Sequence, residues 1–329
     1  MIKKVKVAIL GCNYMGKMHA DCYRLLNDVD VVAVADLNEE TARKVAEPFH
    51  AQVFTDAEEL IKCCEVDAVD ICLPTFLHTK FAVQAMEKTP YIFIEKPVAL
   101  NAEECDTLLR KQRETGAQVQ VGQVIRFWDE YVYLKEVVDD KRYGELVNLS
   151  LKRLSPSPLW SKNDWIRNSK LSGGAIVDLH IHDIDYMLYL LGTPNTSYSI
   201  TNTRGEPNSY ITTVCEYDDF VVSVEATWYL PSNYPFQMYY RAVFEKGVVE
   251  LNGGKITVYE GENTFTPTME KKGYTGAFSE GNISDLAGYF NELQYFTDCI
   301  KNGKPIEKAR LQDGVSSLKF LLNTLADKR

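Results

Sequence analysis

Asp178 and His182 stand four residues apart in the stretch SGGAIVDLHIHDID at 172–185. On a helix that spacing puts both side chains on one face, with Asp185 three residues further along and His180 turned roughly away. An imidazole titrates near pH 6.5, so it suits the transfer of a proton at neutral pH, and a carboxylate beside it can orient it. Two histidines and two aspartates are also metal-ligand types. Residues two apart diverge on a helix, however, so His180 and His182 do not easily reach one ion, and no metal is expected there. A second pattern lies near the N-terminus. GCNYMGKMH at 11–19 follows the apolar run Val5–Leu10 and approaches the glycine-rich turn that holds a dinucleotide, with Asn13 where the middle glycine usually stands.

Each part of that turn has a physical task. Gly11 permits the tight bend, Gly16 lets the following helix approach the sheet, and the helix N-terminus turns its unpaired N–H groups toward a pyrophosphate. Asn13 is expected to keep the turn in a left-handed backbone, which Asn tolerates better than other non-glycine residues, and its amide can donate to a phosphate oxygen. Asp36 ends the next strand, twenty residues after Gly16. A carboxylate there accepts the ribose hydroxyls of NAD and repels a 2′-phosphate, and neither Leu37 nor Asn38 offers a compensating cation. NAD is therefore expected over NADP. The competing reading is an ordinary strand–helix turn.

The elements that must position these groups follow from hydrophobic period. Strands are predicted at 5–10, 31–35, 68–73, 91–94 and 117–121, with helices near 16–26, 39–48, 56–62, 78–87 and 102–115. Near-continuous apolar strands alternating with helices imply a parallel sheet covered on both faces, an α/β Rossmann domain over 1–122. From 123 to 329 the pattern becomes α+β. β-rich stretches at 145–154, 196–203, 210–217, 220–230, 238–246 and 254–260 imply a mostly antiparallel, open sheet with one packed face. One helix at 175–191 interrupts it, and helices near 284–301 and 308–327 close the chain and are expected to pack back toward the first domain.

Composition narrows the class. The 329 residues suffice for about two domains. A net charge of −10 without a basic block argues against nucleic acid and anionic membrane surfaces as partners. No apolar stretch approaches the roughly 20 residues that span a bilayer. The first twelve residues have a superficial export-signal look, but Asn13, Lys17, His19 and Asp21 follow where a cleavage site would stand, so a cytoplasmic location is expected. The eight cysteines are scattered without a C-x-x-C pair, which suggests reduced thiols rather than disulfides or a zinc site.

Taken together, these motifs resemble the Gfo/Idh/MocA oxidoreductases, the family of glucose–fructose oxidoreductase and the inositol dehydrogenases. The resemblance runs from end to end. It rests on G-x-x-x-M-G-x-x-H at 11–19, which includes Met15, and on Cys72-Leu73-Pro74-Thr75 followed by His78. It continues through Glu95-Lys96-Pro97, Gly173-Gly174, the D-x-x-x-H-D-x-D run Asp178 to Asp185, and the closing block at 312–325. It implies that Lys96, Asp178 and His182 are the catalytic lysine, aspartate and histidine. It also adds Leu73, Pro74, Thr75, His78, Glu95 and Lys96 to the cofactor-binding set of Gly11, Asn13, Met15, Gly16 and Asp36.

The expected reaction moves a hydride between the nicotinamide and a secondary alcohol or ketone of a sugar, polyol or inositol-like substrate. His182 takes the hydroxyl proton, Lys96 stabilises the developing alkoxide, and Asp178 orients His182 or holds the substrate hydroxyl. Many relatives carry two adjacent arginines after the fifth or sixth strand. Here the pair is Ile125-Arg126, so one substrate contact of the inositol dehydrogenases is missing. Arg126, Trp165 and Tyr234 are candidate substrate-pocket residues. Two other classes stay open on this fold: an NAD-dependent glycosidase acting through transient oxidation, and a non-catalytic NAD-sensing regulator. A homodimer or homotetramer is implied by the resemblance, since relatives pair through the open face of the C-terminal sheet.

Overall fold

The computed structural model describes residues 4–159, 161–203, 209–269, 277–280 and 283–326. The chain divides into two compact units, Met1–Val124 with Gly273–Ser316, and Ile125–Lys272 with Ser317–Arg329. The first unit is thus built from two separate stretches of chain.

In the first unit, strands β1 (Val5–Leu10), β2 (Val29–Ala35), β3 (Gln52–Phe54), β4 (Ala68–Ile71), β5 (Tyr91–Ile94) and β6 (Gln118–Val121) form one sheet of order β3-β2-β1-β4-β5-β6. Every neighbouring pair is parallel. Helices α1 (Tyr14–Leu25), α2 (Glu39–Ala46), α3 (Ala57–Cys63), α4 (Thr75–Met86) and α5 (Ala102–Thr115) make the returns. Val7, Ala8, Ile9 and Leu10 of β1 are all fully buried, which is what a strand covered on both faces requires. The helix starts are written locally. Asn38, Asp56 and Asn101 each accept a backbone N–H of the first turn of α2, α3 and α5. Gly116, at φ +71, ends α5. The edge strand β3 lies outside the sequence prediction because it has three residues and none is buried.

The second unit opens with α6 (Asp129–Asp139), which the periodicity had not revealed, and β7 (Leu146–Leu154). A 3₁₀ segment at Lys162–Arg167, the short α7 (Ser169–Ser172), a π-helical turn at Ala175–Leu179 and α8 (Ile181–Leu191) follow. Then come β8 (Thr196–Asn202), β9 (Tyr210–Glu216), β10 (Val221–Thr227), β11 (Gln237–Phe244), β12 (Gly247–Asn252), β13 (Lys255–Glu260) and β14 (Asn263–Phe265). The eight strands take the order β14-β13-β12-β11-β7-β10-β9-β8. All neighbours are antiparallel except β7 and β10, whose parallel pairing places α8, β8 and β9 in the crossover. Leu149, Leu151, Val222, Val224, Tyr240 and Ala242 are buried, and the alternate residues are not, so one face is packed and one is open. β12 falls between the expected stretches 238–246 and 254–260, where no strand was expected, and pairs with β11 across the tight Glu245-Lys246 turn.

The continuous helix expected over 175–191 is corrected. The His180 N–H donates to the Ala175 carbonyl at 3.1 Å, five residues back, and the α-helix begins only at Ile181. Gly173 and Gly174, at φ +80 and +61, bring the chain in by a left-handed path, which sets the wider first turn. The chain closes with α9 (Ala287–Asn302) and α10 (Leu311–Ala326), and the last expected helical residue, 327, lies outside the described residues. Among the described residues no helix is long and apolar enough to cross a membrane.

Candidate functional site

The order of the first sheet reverses between β1 and β4, and the predicted cofactor residues lie at the strand ends around that switch point. Gly11 follows β1 at φ +91. A Cβ there would stand 2.7 Å from the Cys72 carbonyl oxygen, and one on Gly16 would stand 1.8 Å from the Gly11 oxygen. Both positions therefore need glycine for α1 to start against the ends of β1 and β4. Met15 is half-buried in the first turn of α1.

Asn13 departs from expectation. Its backbone is extended, at φ −79 and ψ −152, rather than left-handed. Its amide Nδ2 donates to Asp36 Oδ2 at 3.0 Å, and the Cys12 N–H donates to the same oxygen at 3.0 Å. The Asn38 N–H donates to Asp36 Oδ1 at 2.8 Å. The middle position of the turn is thus held by a side-chain bond to the acidic residue, which removes the need for a positive φ. The Asn13 side chain does not cap α1, and the N-terminus of that helix faces the turn where an anion would sit. A glycine-cradled helix start beside a fixed carboxylate fits a dinucleotide.

Leu73, Pro74 and Thr75 form the β4–α4 connection, with Pro74 in the N-cap position of α4. His78 ties that connection to the next. Its Nε2 lies 2.7 Å from the Leu73 carbonyl and its Nδ1 2.8 Å from the Pro97 carbonyl. Burial pushes this imidazole below its ordinary pKa against the pull of the two carbonyls, and the neutral ring can donate to only one of them. Glu95, Lys96 and Pro97 follow β5, with a cis Lys96–Pro97 bond. Glu95 Oε2 accepts the Lys96 N–H at 3.1 Å, and Lys96 itself is half-buried.

Beneath these loops lies a buried polar cluster. His19 of α1 places Nδ1 2.8 Å from Asp70 Oδ2 and Nε2 3.2 Å from Glu95 Oε1. The Tyr23 hydroxyl donates to Asp70 Oδ2 at 2.9 Å, and Cys72 Sγ stands 3.2 Å from His19 Nδ1. Burial opposes a charge on His19, but Asp70 and Cys72 together outweigh it and raise its pKa well above the ordinary value. Glu292 of α9 is held protonated well above the usual carboxylate range, by burial first and by Glu95 second. Asp70 and Glu292 escaped the sequence reading. The signal was present: each is a lone acid in an otherwise apolar setting, within AVDI of β4 and among Tyr289, Phe290, Leu293 and Phe296 of α9.

In the second unit, Asp178 is buried within the π turn and His182, in the first turn of α8, is half-buried. His180 turns instead into the unit, where its Nε2 meets Thr213 Oγ1 at 2.8 Å and burial lowers its pKa to about 3. Arg126 is buried and paired with an acid of α8. It is 4% exposed, its Nε and Nη2 bind Asp185 at 2.7 Å each, and its guanidinium lies 4.5 Å from the Tyr189 ring centre. Arg153 makes a similar buried pair with Asp183. Trp165, in the 3₁₀ segment, and Tyr234, before β11, are both half-buried, and the Tyr234 hydroxyl meets Gln237 Oε1 at 3.4 Å.

A parallel sheet of this order, with a glycine turn and an acidic strand end at its switch point, followed by a large open antiparallel sheet, defines a two-part Rossmann-type protein. Residues 5–123 match the model of the oxidoreductase family with NAD-binding Rossmann fold, and residues 131–250 match the GFO/IDH/MocA C-terminal domain. The chain belongs to the Gfo/Idh/MocA oxidoreductase family. It is 33% identical over 198 residues to an inositol 2-dehydrogenase of Rhizobium meliloti (strain 1021), covering 60% of this chain and 58% of that protein. It is 27% identical over 321 residues to the scyllo-inositol 2-dehydrogenase (NAD(+)) of Bacillus subtilis (strain 168), covering 92% and 88%. An oxidoreductase from Agrobacterium radiobacter, solved in complex with NAD+, L-tartaric acid and magnesium, shares the fold with a TM-score of 0.85. That likeness has 16% identity and covers 99% of this chain and 98% of the other. For several of the curated relatives, the rhizobial one included, the match spans little more than half of their length.

Proposed function

We propose that this protein is an NAD(H)-dependent dehydrogenase or reductase acting on a secondary alcohol or ketone of a sugar, polyol or inositol-like substrate. The observation that carries the reading is the similarity to scyllo-inositol 2-dehydrogenase (NAD(+)), which runs over 92% of the chain rather than over the nucleotide-binding part alone. Bound at the Gly11–Gly16 turn, NAD supplies the hydride acceptor. Asp36 supports NAD over NADP, because a carboxylate repels a 2′-phosphate. Its two oxygens already take three N–H bonds, which fix its orientation and leave acceptor capacity for ribose hydroxyls.

In this reading His182 is the base that takes the substrate hydroxyl proton as hydride leaves the same carbon. Lys96 donates to the developing alkoxide oxygen and stabilises its charge. Asp178 orients His182 or holds the hydroxyl. The eight cysteines, which stand as thiols, support a reducing compartment such as the cytoplasm. The open face of the eight-stranded sheet is the proposed surface for pairing with a second copy.

The test is a screen of NAD⁺ reduction across polyols, aldoses and inositols, with NADP⁺ in parallel and with the His182→Ala and Lys96→Ala variants. The expected result is turnover of at least one such alcohol, with kcat/KM at least about tenfold higher for NAD⁺. Each variant should lose about 10²- to 10⁴-fold in kcat, and His182→Ala, which lies outside the cofactor-binding set, should bind NADH normally. Full turnover by both variants would remove the catalytic assignment, and equal use of NADP⁺ would remove the Asp36 argument.

A further inference from the structure

The buried cluster of the first unit contains more unanswered polar atoms than a packed interior tolerates. His19, Asp70 and Glu292 are 0% exposed and Glu95 is 5% exposed. His19 Nε2, Glu95 Oε1 and both carboxylate oxygens of Glu292 are buried with no hydrogen-bond partner among the described residues. Leaving such an atom unmet is destabilising, and more so for a charged group. These ligand-type atoms of His19, Glu95 and Glu292 lie within 4.8 Å of one another.

The orientation of His19 is informative. Nδ1 faces Asp70 Oδ2 at 2.8 Å, and that oxygen also receives the Tyr23 hydroxyl. A neutral histidine that gives its Nδ1–H to a carboxylate presents the Nε2 lone pair outward, the arrangement that orients metal-bound imidazoles, and a bound ion takes the place of the second proton that the raised pKa otherwise puts on Nε2. Nε2 then stands 3.2 Å from Glu95 Oε1, near enough for a hydrogen bond, yet the pair lacks the alignment of one. Two ligand atoms each about 2.0–2.2 Å from one zinc ion stand about 3 to 3.5 Å apart, with the donor axes pointing at the ion rather than at each other. Close approach without alignment is the relation that geometry produces. Gly122 leaves room for the carboxylate, since a Cβ there would lie 2.7 Å from Glu95 Oε1.

We propose that His19 Nε2, Glu95 and Glu292 form a site for a divalent first-row transition ion, zinc foremost, with Asp70 and Tyr23 orienting the imidazole. One imidazole and two carboxylates suit zinc, and the two carboxylates balance the ion's charge, which makes their burial tolerable. The ion joins α1, the end of β5 and α9, and so fastens the returning C-terminal helix to the helix that opens the nucleotide turn. This role is structural and separate from the catalytic assignment above.

The chain, stripped of metal and titrated with zinc, should bind close to one equivalent by elemental analysis after gel filtration. Its melting temperature should rise by several degrees. Glu292→Gln, with its fold verified by circular dichroism, should lose at least tenfold in zinc affinity. Should that variant not fold, cobalt(II) in the parent chain decides: visible d–d bands support the site, and their absence overturns it. Zinc content below a tenth of an equivalent in the parent chain, or binding unchanged in both Glu292→Gln and His19→Asn, also overturns it.

Discussion

Single residues here are often settled by what surrounds them more than by what they are. Asn13 and Asp36 both stand where the spacing of the turn puts them, but the bond between their side chains was invisible in a linear pattern, because it links positions 23 residues apart. Arg126 reads as a candidate substrate-pocket residue in the sequence, and in the structure it is a buried, bidentate partner of Asp185. His180 is the clearest case with a measurable consequence. Burial lowers its pKa to about 3, so the folded chain keeps it neutral while the unfolded chain protonates it near 6.5. Its share of stability is therefore full above pH 6.5 and is lost as the pH falls toward 3. Between pH 7 and pH 5 the loss from this one group is about 2 kcal/mol, nearly independent of how far below 5 the folded value lies. His78 acts in the same direction and His19 in the opposite one, so the contribution is read as a difference. Urea midpoints of the parent and of His180→Gln at the two pH values should show the smaller drop in the variant. Parallel drops would contradict the burial argument.

At the scale of elements, most of the fold was legible. Period and caps placed the strands and helices of the first unit to within a few residues, because those signals act over one or two turns of chain. The failures are informative in the same terms. β3 and α6 carry too weak a pattern, and the π turn at Ala175–Leu179 depends on the path by which the chain enters it. That entry rests on Gly173, where a Cβ would stand 2.4 Å from Val177 Cβ at a φ of +80. Gly173→Ala combines left-handed strain of about 1–2 kcal/mol with a steric overlap in the turn that presents Asp178. It should lower stability by about 2 kcal/mol or more and depress turnover together. Gly253, at φ +56 with open space around its Cα, serves as the control, and its replacement by Ala should cost only the backbone term of about 1 kcal/mol. Equal melting temperatures for the two variants would remove the special role given to the π turn.

For the whole molecule, the informative surface is the open face of the eight-stranded sheet. It presents Ser150, Lys152, Ser223, Glu225, Tyr239 and Arg241, with Lys152 and Glu225 paired at 3.1 Å. A mixed polar and aromatic face without a long run of one charge suits contact with a copy of itself, where each cation can meet a carboxylate. Ser223 lies at the middle of this face, with its hydroxyl 3.1 Å from that of Ser150. Ser223→Lys would add a third cation between Lys152 and Arg241 and set like charges against each other across a two-fold axis. Light scattering should show a dimer or larger species for the parent chain and a shift toward monomer for the variant. A parent chain that is already monomeric at micromolar concentration would remove the proposed pairing.

The order of apolar strands and capped helices, the glycine turn with its acidic strand end, and the Glu95-Lys96-Pro97 and Asp178–His182 motifs could all be read from the chain itself. They depend on periods, turn chemistry and spacings that span a few residues, or on motifs that keep their linear order. Tertiary structure alone decided which polar groups are spent on one another. Asn13 with Asp36, Arg126 with Asp185, Arg153 with Asp183, and His19 with Asp70 are each brought together by sheet order and helix packing. Burial then forces such groups to find partners, and which partner is within reach is a property of the packed chain rather than of its order.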